Sequence, residues 1–406
     1  MYNHTVPPEA ELLSPAGDYE RLVMAVIYGA DAVYLAGREF GMRAATANFD
    51  NDTLRRGIEF AHDRGVKVYV TCNTLPREEE LSRLPAYLSF LQDAGADGLI
   101  IADLGVLALA KKYAPQVKKH VSTQLGVINS ATASFLYEQG ADTVVLARET
   151  PLADIRRIRA NTPPELRLEA FVHGAMCVSF SGRCLLSNYL TGRDANRGQC
   201  AQPCRWKYHL MEETRPGEYF EISEDNGTFI LNSNDMCMIE HLQELLDAGI
   251  SSFKIEGRMK SAYYTATVTN AYRHALDAAL RGSPPDPHWV AETEKVSHRP
   301  YCTGFYYGDP GQHYGTSSYT QTADIVAVVE SCETDGTAIL TQRNRFFPGD
   351  PLELMNPETL PVSFAPEHIY DLDGNELPDT RRAMMRFRMK LPQQVPPYTI
   401  IRKNRS

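Results

Sequence analysis

The sequence contains no long hydrophobic run. No apolar stretch approaches the roughly 20 residues that an α-helix needs to cross a bilayer. The first residues, MYNHTVPPEAELL, also lack the basic start and apolar core of a secretory signal. We therefore expect a soluble, cytoplasmic protein with no membrane partner. In that reducing compartment cysteines are more often metal ligands or catalysts than disulfides.

The sequence also lacks a surplus of basic residues. Its 41 Lys and Arg residues stand against 51 Asp and Glu residues, which gives a formal net charge of −10. Proteins that bind nucleic acid mainly by neutralising phosphates usually carry excess positive charge. The composition therefore argues against a general nucleic-acid binder, and it leaves open a local basic face.

Signature motifs of several common enzyme classes are absent as well. None of the 11 histidines belongs to an H-E-x-x-H motif, and the chain has no G-x-S-x-G, no Walker loop and no G-x-G-x-x-G. These absences argue against zinc proteases of that type, serine hydrolases, P-loop enzymes and dinucleotide-binding enzymes.

What the chain does contain is a repeated unit. A glycine follows an amphipathic helical pattern and precedes an apolar run in YGADAVYLAG, AGADGLIIAD, QGADTVVLAR and AGISSFKIEG. Glycine ends helices in the left-handed conformation, and alternating helices and buried strands are typical of parallel α/β folds. Eight such strands predict a TIM-like (β/α)8 barrel over residues 1–285, which we favour over a doubly wound open sheet. A Cys-rich insertion at about residues 175–230 replaces the loop after the seventh strand.

After the barrel pattern the sequence changes character twice. The stretch RGSPPDPHW predicts a linker over residues 286–321. Residues 322–406 alternate short apolar strands with the turn signals TDG, PGD and DLDG, which predict a small antiparallel β-barrel domain. The many arginines of this domain form either a surface for nucleic acid or ordinary solvated strand faces.

Polar side chains are predicted at the carboxyl ends of the barrel strands, where barrel enzymes carry out their chemistry. Arg148, Lys254 and Arg258 are candidates to bind an anionic substrate, because guanidinium and ammonium groups pair with carboxylate or phosphate. The other candidates are Asn73 and Gln124 for substrate binding, and Asp103, His173 and Glu256 for acid–base catalysis. For each of them a structural ion pair or hydrogen bond is the competing interpretation.

Four of the eight cysteines are crowded into one Gly-, Arg- and Asn-rich segment. Cys177, Cys184, Cys200 and Cys204 have the spacing C-x6-C-x15-C-x3-C. Zinc sites usually contain two tight Cys pairs, and only one pair here is tight, whereas iron–sulfur clusters accept more varied loops. The alternatives are a metal or cluster site, a nucleophilic thiol beside His173, and four buried thiols, which the polar surroundings disfavour.

The same segment carries a family resemblance. EAFVHGAMCVSFSGRCLLSNYLTGRDANRGQCAQPCRW, with the phrases ELLSPAG, GADAVYLAG and SFKIEGRMKSAYY, resembles peptidase family U32, the collagenase-like proteases, over roughly residues 9–290. Some members have a reputation as proteases. Others act in the hydroxylation of tRNA wobble uridine, of a ribosomal RNA cytidine or of ubiquinone precursors. This chain looks most like the branch that forms 5-hydroxyuridine in tRNA.

The resemblance also implies a cofactor and partners. The hydroxylating members carry an iron–sulfur cluster on the cysteines of this motif, which implies a 4Fe-4S cluster on Cys177, Cys184, Cys200 and Cys204, with Cys237 as the alternative fourth ligand. The implied partners are tRNA, prephenate as a small anionic co-substrate, and a second subunit of the same family. The two functions to be weighed are an iron–sulfur-dependent tRNA hydroxylase and a peptidase.

Overall fold

The computed structural model describes residues 10–42, 48–177, 179–181, 184–195, 198–206, 210–211, 217, 219–220, 233–311 and 319–405. Part of the predicted Cys-rich insertion, including residues 221–232, and residues 312–318 of the predicted linker lie outside the described residues.

Eight parallel strands form a closed barrel. They are β1 (Glu11–Pro15), β2 (Ala32–Leu35), β3 (Lys67–Cys72), β4 (Gly98–Ile101), β5 (Lys118–Val121), β6 (Thr143–Val145), β7 (Arg167–Ala175) and β11 (Ser252–Ile255). Each strand pairs in parallel with the next, and β11 closes the ring by pairing with both β7 and β1. The predicted (β/α)8 barrel is confirmed.

Helices surround the barrel and precede or follow its strands. They are α1 (Tyr19–Ile27), α2 (Asn51–His62), α3 (Glu78–Leu81), α4 (Leu84–Asp93), α5 (Leu104–Tyr113), α6 (Ser130–Glu138), α7 (Leu152–Ala160), α8 (Leu186–Thr191), α9 (Leu242–Asp247), α10 (Ala262–Leu280) and α11 (Pro287–Glu292). The repeated glycines adopt the left-handed conformation after the helices, with φ of +98° at Gly29 and +93° at Gly140. Among the described residues, no helix is both long enough and apolar enough to span a membrane.

The insertion predicted at about residues 175–230 follows β7. Its described part contains α8 and the two-stranded ladder of β8 (Leu210–Met211) and β9 (Tyr219–Phe220). The strand β10 (Asp235–Cys237) and α9 come after it and lead to β11. Because β10 runs antiparallel to the end of β7, it continues the barrel wall beyond the mouth on this side.

The segment predicted to be a linker contributes packed elements where it is described. It includes α11 and the strand β12 (Tyr301–Cys302), which pairs in parallel with β10. Arg299, which is 1% exposed, forms a buried ion pair with Asp235 at 2.7 Å. Proline-rich composition marks turns, and it does not reveal tertiary contacts of this kind.

The C-terminal domain is one antiparallel sheet curved into a half-barrel. Its strands are β13 (Ala323–Cys332), β14 (Thr337–Gln342), β15 (Leu352–Met355), β16 (Val362–Phe364), β17 (Ile369–Tyr370), β18 (Arg386–Lys390) and β19 (Ile400–Asn404). Their order is β16-β15-β19-β13-β14-β18-β17, and Val326, Leu340, Phe387 and Ile401 lie in its core. The predicted small antiparallel domain is confirmed.

The two parts of the chain share a buried junction. Tyr28 directly follows α1 of the barrel, and its hydroxyl donates to the carbonyls of Met355 (3.0 Å) and Tyr398 (3.1 Å). The fully buried Arg402 of β19 forms salt bridges with Glu292 of α11 and Glu353 of β15. Polar contacts as well as apolar packing therefore hold the half-barrel against the outside of the barrel.

Candidate functional site at the mouth of the barrel

A cavity of about 210 Å³ lies at the carboxyl ends of the barrel strands. Most of the residues predicted for the site line it: Asn73, Gln124, Arg148, Lys254, Glu256, Arg258, Cys177, Cys184, Cys200 and Cys204. The strands supply the floor and the insertion after β7 supplies the cysteine-bearing wall. Residues that are far apart in sequence meet here because parallel strands of a barrel all end at the same face.

Two local features fold the cysteine segment over the cavity. The carboxylate of Glu149, just beyond β6, accepts hydrogen bonds from the backbone amide and the hydroxyl of Ser181, both at 2.9 Å. Within the segment, the Ser187 hydroxyl of α8 accepts from the Ala201 amide at 2.9 Å, and Gln202 adopts a left-handed turn just before Cys204. The segment is thus tied to the barrel at one point and to itself at another.

The four cysteines are free thiols. Burial raises the pKa of Cys177, and the neighbouring Cys184 and Cys200 add to the effect while Arg148 opposes it. Burial also raises the pKa of Cys204, with Cys177 as the next contribution and Arg205 opposing. Cys177 and Cys204 are therefore close enough to the other thiols of the segment to feel their charge.

The donor set fits an iron–sulfur cluster better than a single ion. No group of three or more His, Cys, Asp or Glu side chains in the described part of the chain is drawn together tightly enough to hold one metal ion. A four-iron cluster is bound by four cysteine thiolates, each on a different iron, so it needs a cavity lined by thiols rather than thiols around one point. Cys177, Cys184, Cys200 and Cys204 line such a cavity, with the cations Arg148 and Lys254 in the same wall and floor.

The three predicted anion-binding cations have different environments. Lys254 donates to the fully buried carboxylate of Glu169 at 2.7 Å. Because the two charges are opposite, this salt bridge reduces the net charge at this point of the cavity floor. Arg258 donates to the hydroxyl of Thr71 and to the carbonyl of Met42, so it ties the floor to the loop after β2. Arg148 lies over the ring of Phe171, 3.9 Å from its centre.

Of these cations, Arg148 is the one available to an anion. Among the described residues no carboxylate forms a salt bridge with its guanidinium, although the same side chain lines the cavity. Glu256 faces the same space and accepts a hydrogen bond from Tyr34 at 3.3 Å. Burial raises the pKa of Tyr34 well above its ordinary value, so its hydroxyl stays protonated as a donor.

Three predicted site residues do not line the cavity. His173 is 1% exposed, its Nδ1 lies 3.2 Å from the Tyr272 hydroxyl, and burial lowers the pKa of the imidazole to about 3, so it is neutral. Asp103 accepts from the Val106 amide at 3.0 Å and caps the start of α5. Cys237 lies opposite His173 in the ladder of β10 and β7, with its Sγ 3.7 Å from the same Tyr272 hydroxyl.

The sequence reasoning missed Glu169, and it placed Glu149 beside Arg148 at a strand end without predicting what that carboxylate binds. Glu169 sets the charge state around Lys254, and Glu149 anchors the cysteine segment. A carboxylate inside the apolar strand LRLEAFVHG was a signal for Glu169, since such a group needs a buried partner. Nothing in the sequence indicates that Glu149 and Ser181 meet.

Barrel enzymes have their active sites at the carboxyl ends of the strands, and this parallel barrel has a thiol-lined cavity there. The fold and the site are therefore those of a barrel enzyme. The chain matches Peptidase family U32 over residues 17–315 and the Peptidase family U32 C-terminal domain over residues 321–402. It therefore belongs to peptidase family U32.

Its relatives in that family carry different names. The chain is 38% identical to tRNA hydroxylation protein P1 of Bacillus subtilis, over 98% of this chain and 96% of that protein. It is 35% identical to tRNA hydroxylation protein P of Escherichia coli, over 91% of this chain and 90% of that protein. It is also 45% identical to an uncharacterized protease of Methanocaldococcus jannaschii, over 75% of this chain and 74% of that protein.

Proposed function

We propose that this protein is an RNA-modifying enzyme that hydroxylates the wobble uridine of tRNA to 5-hydroxyuridine. The observation that carries the proposal is the convergence of four free thiols and several cations on one cavity at the carboxyl face of the barrel. The relatives named for tRNA hydroxylation support it, because they align with this chain over nearly its whole length, including the C-terminal domain.

In this proposal Cys177, Cys184, Cys200 and Cys204 hold a 4Fe-4S cluster, which supplies electron-transfer chemistry when bound. The fourth position belongs to Cys204 rather than Cys237, since Cys204 lines the cavity and Cys237 does not. The basic Arg148 and Arg205 next to the thiols favour their ionised form, as a thiolate cluster site requires. Burial raises the pKa of Cys177 and Cys204, so binding of the cluster to these thiols releases protons.

The cavity floor would bind the small co-substrate and orient the base. A prephenate-like carboxylate pairs with Arg148, the cation with no salt-bridge partner among the described residues, while Asn73 and Gln124 offer amide hydrogen bonds. Hydroxylation replaces a C–H bond of uracil with C–OH, which removes two electrons and adds one oxygen atom. An oxygen donor and an electron acceptor must therefore reach this cavity along with the base.

Peptidase activity is the alternative, and its support is the name of the family and of the archaeal relative. A cysteine nucleophile needs a base that takes its proton. Among the described lining residues there is no histidine, His173 is buried elsewhere, and burial raises the thiol pKa of Cys177 and Cys204. These features favour metal ligands over nucleophiles.

Two experiments test the proposal. Nucleoside analysis of tRNA from a strain that lacks this gene should show loss of 5-hydroxyuridine derivatives, and restoration by the wild-type gene but not by Cys184→Ser. Anaerobically purified protein should contain iron and sulfide. Iron-free protein that cleaves gelatin, with cleavage abolished in Cys184→Ser, would establish the peptidase instead.

A further inference from the structure

Aromatic side chains are exposed on the cysteine segment that covers the cavity and beside that segment. Phe180 lines the cavity and is 39% exposed, Tyr189 of α8 is 86% exposed, and Trp206, two residues after Cys204, is 43% exposed. Tyr319, which is 41% exposed, accepts a hydrogen bond from the guanidinium of Arg205 at 2.6 Å. Large apolar groups clustered around a pocket mark a surface that binds another molecule.

Cations without carboxylate partners lie beside these rings. The Lys260 ammonium lies 4.1 Å from the centre of the Tyr319 ring and donates to the Ser297 carbonyl. In the part of the chain that the structure describes, neither Lys260 nor Arg205 forms a salt bridge. Burial lowers the pKa of Lys260 to about 8; Asp235 opposes this shift, while the nearby Arg205 and Arg299 add to it. An anion placed here would relieve that repulsion.

Most arginines of the C-terminal domain, by contrast, form salt bridges with carboxylates. Asp379 pairs with both Arg345 and Arg381, Glu330 with Arg386, and Asp324 with Arg405. These strand faces therefore present mostly paired charges to the solvent, with one surplus positive charge where two arginines share Asp379. The cations at the barrel mouth are better placed to meet phosphates, even though the whole chain is acidic.

We propose that the rim, formed by Phe180, Tyr189, Trp206, Tyr319, Arg205 and Lys260, is the docking surface for an unpaired RNA loop. Unpaired bases stack on aromatic rings, and the phosphates between them pair with Arg and Lys. The inference rests on the proposed function and names the part of the RNA that the site contacts: a single-stranded segment, not a helix.

The position of the cavity agrees with this occupant, since Phe180 belongs both to the rim and to the lining of the cavity. Enzymes that act on a base inside a nucleic acid turn that base out of the stack into a close-fitting pocket. One base would enter between the rim rings, while its neighbours stack outside.

The test measures binding of the full-length protein to a fluorescent single-stranded oligouridylate by anisotropy, with a fully paired RNA duplex of equal length as competitor. Trp206→Ala and Tyr189→Ala should each weaken binding about tenfold. Arg205→Ala should weaken binding and lower the slope of log affinity against log salt by about 0.7 for the phosphate contact it loses. The duplex should compete poorly.

Matched controls separate docking from folding. Phe347→Ala removes a ring of similar exposure on the C-terminal domain and should bind like the wild type. Trp206→Phe keeps a stacking surface and should retain most of the affinity, which excludes loss of fold as the cause. Unchanged binding by both Trp206→Ala and Tyr189→Ala would overturn the proposal. So would a result in which these variants change only the association state of the protein, since the rim would then be a protein interface.

The outcome is separable from that of the proposed function. If the rim variants lose RNA binding but tRNA nucleosides do not depend on the gene, the docking surface holds and the wobble hydroxylation is refuted. If the nucleosides depend on the gene but the rim variants bind RNA normally, the docking surface is refuted and the hydroxylation holds.

Discussion

Glu169 is the residue on which the charge of the cavity floor depends. It lies in the middle of β7 with no exposed surface, 2.7 Å from Lys254, and also accepts from the Ser252 hydroxyl. Although burial opposes ionisation, Lys254 and His120 lower the pKa of this carboxyl to about 2. The Glu169 carboxyl therefore stays ionised inside the barrel at neutral pH.

Removing one charge of this pair should destabilise the barrel. Glu169→Gln leaves the Lys254 ammonium buried without its counter-charge, and such a change costs about 3–5 kcal/mol. We expect a clearly lower urea midpoint. The double variant Glu169→Leu with Lys254→Met removes both charges and should recover much of the loss. If Glu169→Gln were as stable as the wild type, the salt bridge with Glu169 would not be what stabilises the buried Lys254 ammonium.

Cysteine substitutions distinguish the fourth cluster ligand. Cys204 lines the cavity, whereas Cys237 lies in the β7–β10 ladder beside Tyr272. Iron content after anaerobic reconstitution should fall sharply in Cys204→Ser and stay near the wild-type value in Cys237→Ser. Cys332→Ser, in the C-terminal domain, is the matched control. The reverse pattern for Cys204 and Cys237 would assign the ligand to Cys237.

At the scale of single residues, the sequence predicts which residue types form the site better than it predicts the partners that they bind. Spacing and polar surroundings were enough to group the four cysteines, and strand ends were enough to place Arg148 and Lys254 at one cavity. Sequence gave no sign that Arg258 binds the Met42 carbonyl or that Asp103 caps α5, because those partners are set by loop geometry. The same holds for His173, whose tyrosine neighbours come from α10 and β12.

At the scale of elements, the cysteine segment is an appendage held to the barrel at identified points. The Glu149 carboxylate accepts two hydrogen bonds from Ser181, and bonds to a charged group each contribute about 1.5–3 kcal/mol. Glu149→Ala should therefore release the segment while leaving the barrel strands intact.

The release should be visible as faster thiol labelling. In metal-free Glu149→Ala, Cys177 and Cys184 should react with a thiol reagent severalfold faster, as followed by peptide mass mapping, while the melting temperature stays within a few degrees. Glu149→Gln keeps an acceptor and should fall in between, and Glu138→Ala on the exposed end of α6 should change nothing. Equal labelling in Glu149→Ala would mean that the segment is held elsewhere.

Four of the parallel strands, β2, β4, β6 and β11, were predictable because they repeat the same local signal, a glycine turn followed by an apolar run. The short strands β10 and β12 carry no such signal. They form because the end of β7 offers an edge on which β10 pairs, and β10 in turn pairs with β12. The salt bridge between Arg299 and Asp235 also joins the two segments. Elements that depend on a distant partner cannot be recognised from periodicity within their own segment.

At the scale of the whole molecule, the two domains are joined by a buried ionic network. Arg402 of β19 pairs with Glu292 and Glu353, and Lys295 also pairs with both carboxylates. Burial opposes the ionisation of Glu353, but Lys295, Arg402 and Asn404 together lower its pKa to about 2. A carboxyl with a lowered folded-state pKa stabilises the fold above its ordinary pKa of 4.5, and that stabilisation is lost as the pH falls from 4.5 towards 2.

The junction has its own optical probe. Trp289 of α11 is stacked on His274 of α10, with the ring centres 3.9 Å apart, and the only other tryptophan of the chain is Trp206. In a Trp206→Phe background the fluorescence therefore reports on the junction alone. We expect the urea midpoint read at Trp289 to fall as the pH is lowered from 4.5 towards 2.

Arg402→Met should change both the size and the pH dependence of that stability. At neutral pH it leaves Glu292 and Glu353 with Lys295 as their remaining cationic partner, and loss of a buried charge partner costs about 3–5 kcal/mol. Acid then neutralises carboxyls that repel each other, so stability should fall less steeply below pH 4.5 than in the wild type, or rise. Arg405→Met, which breaks only the exposed pair with Asp324, should cost under about 1 kcal/mol and keep the wild-type pH dependence. If Arg402→Met lowered stability by the same amount at every pH, the apolar contacts of the half-barrel, and not this network, would hold the junction together.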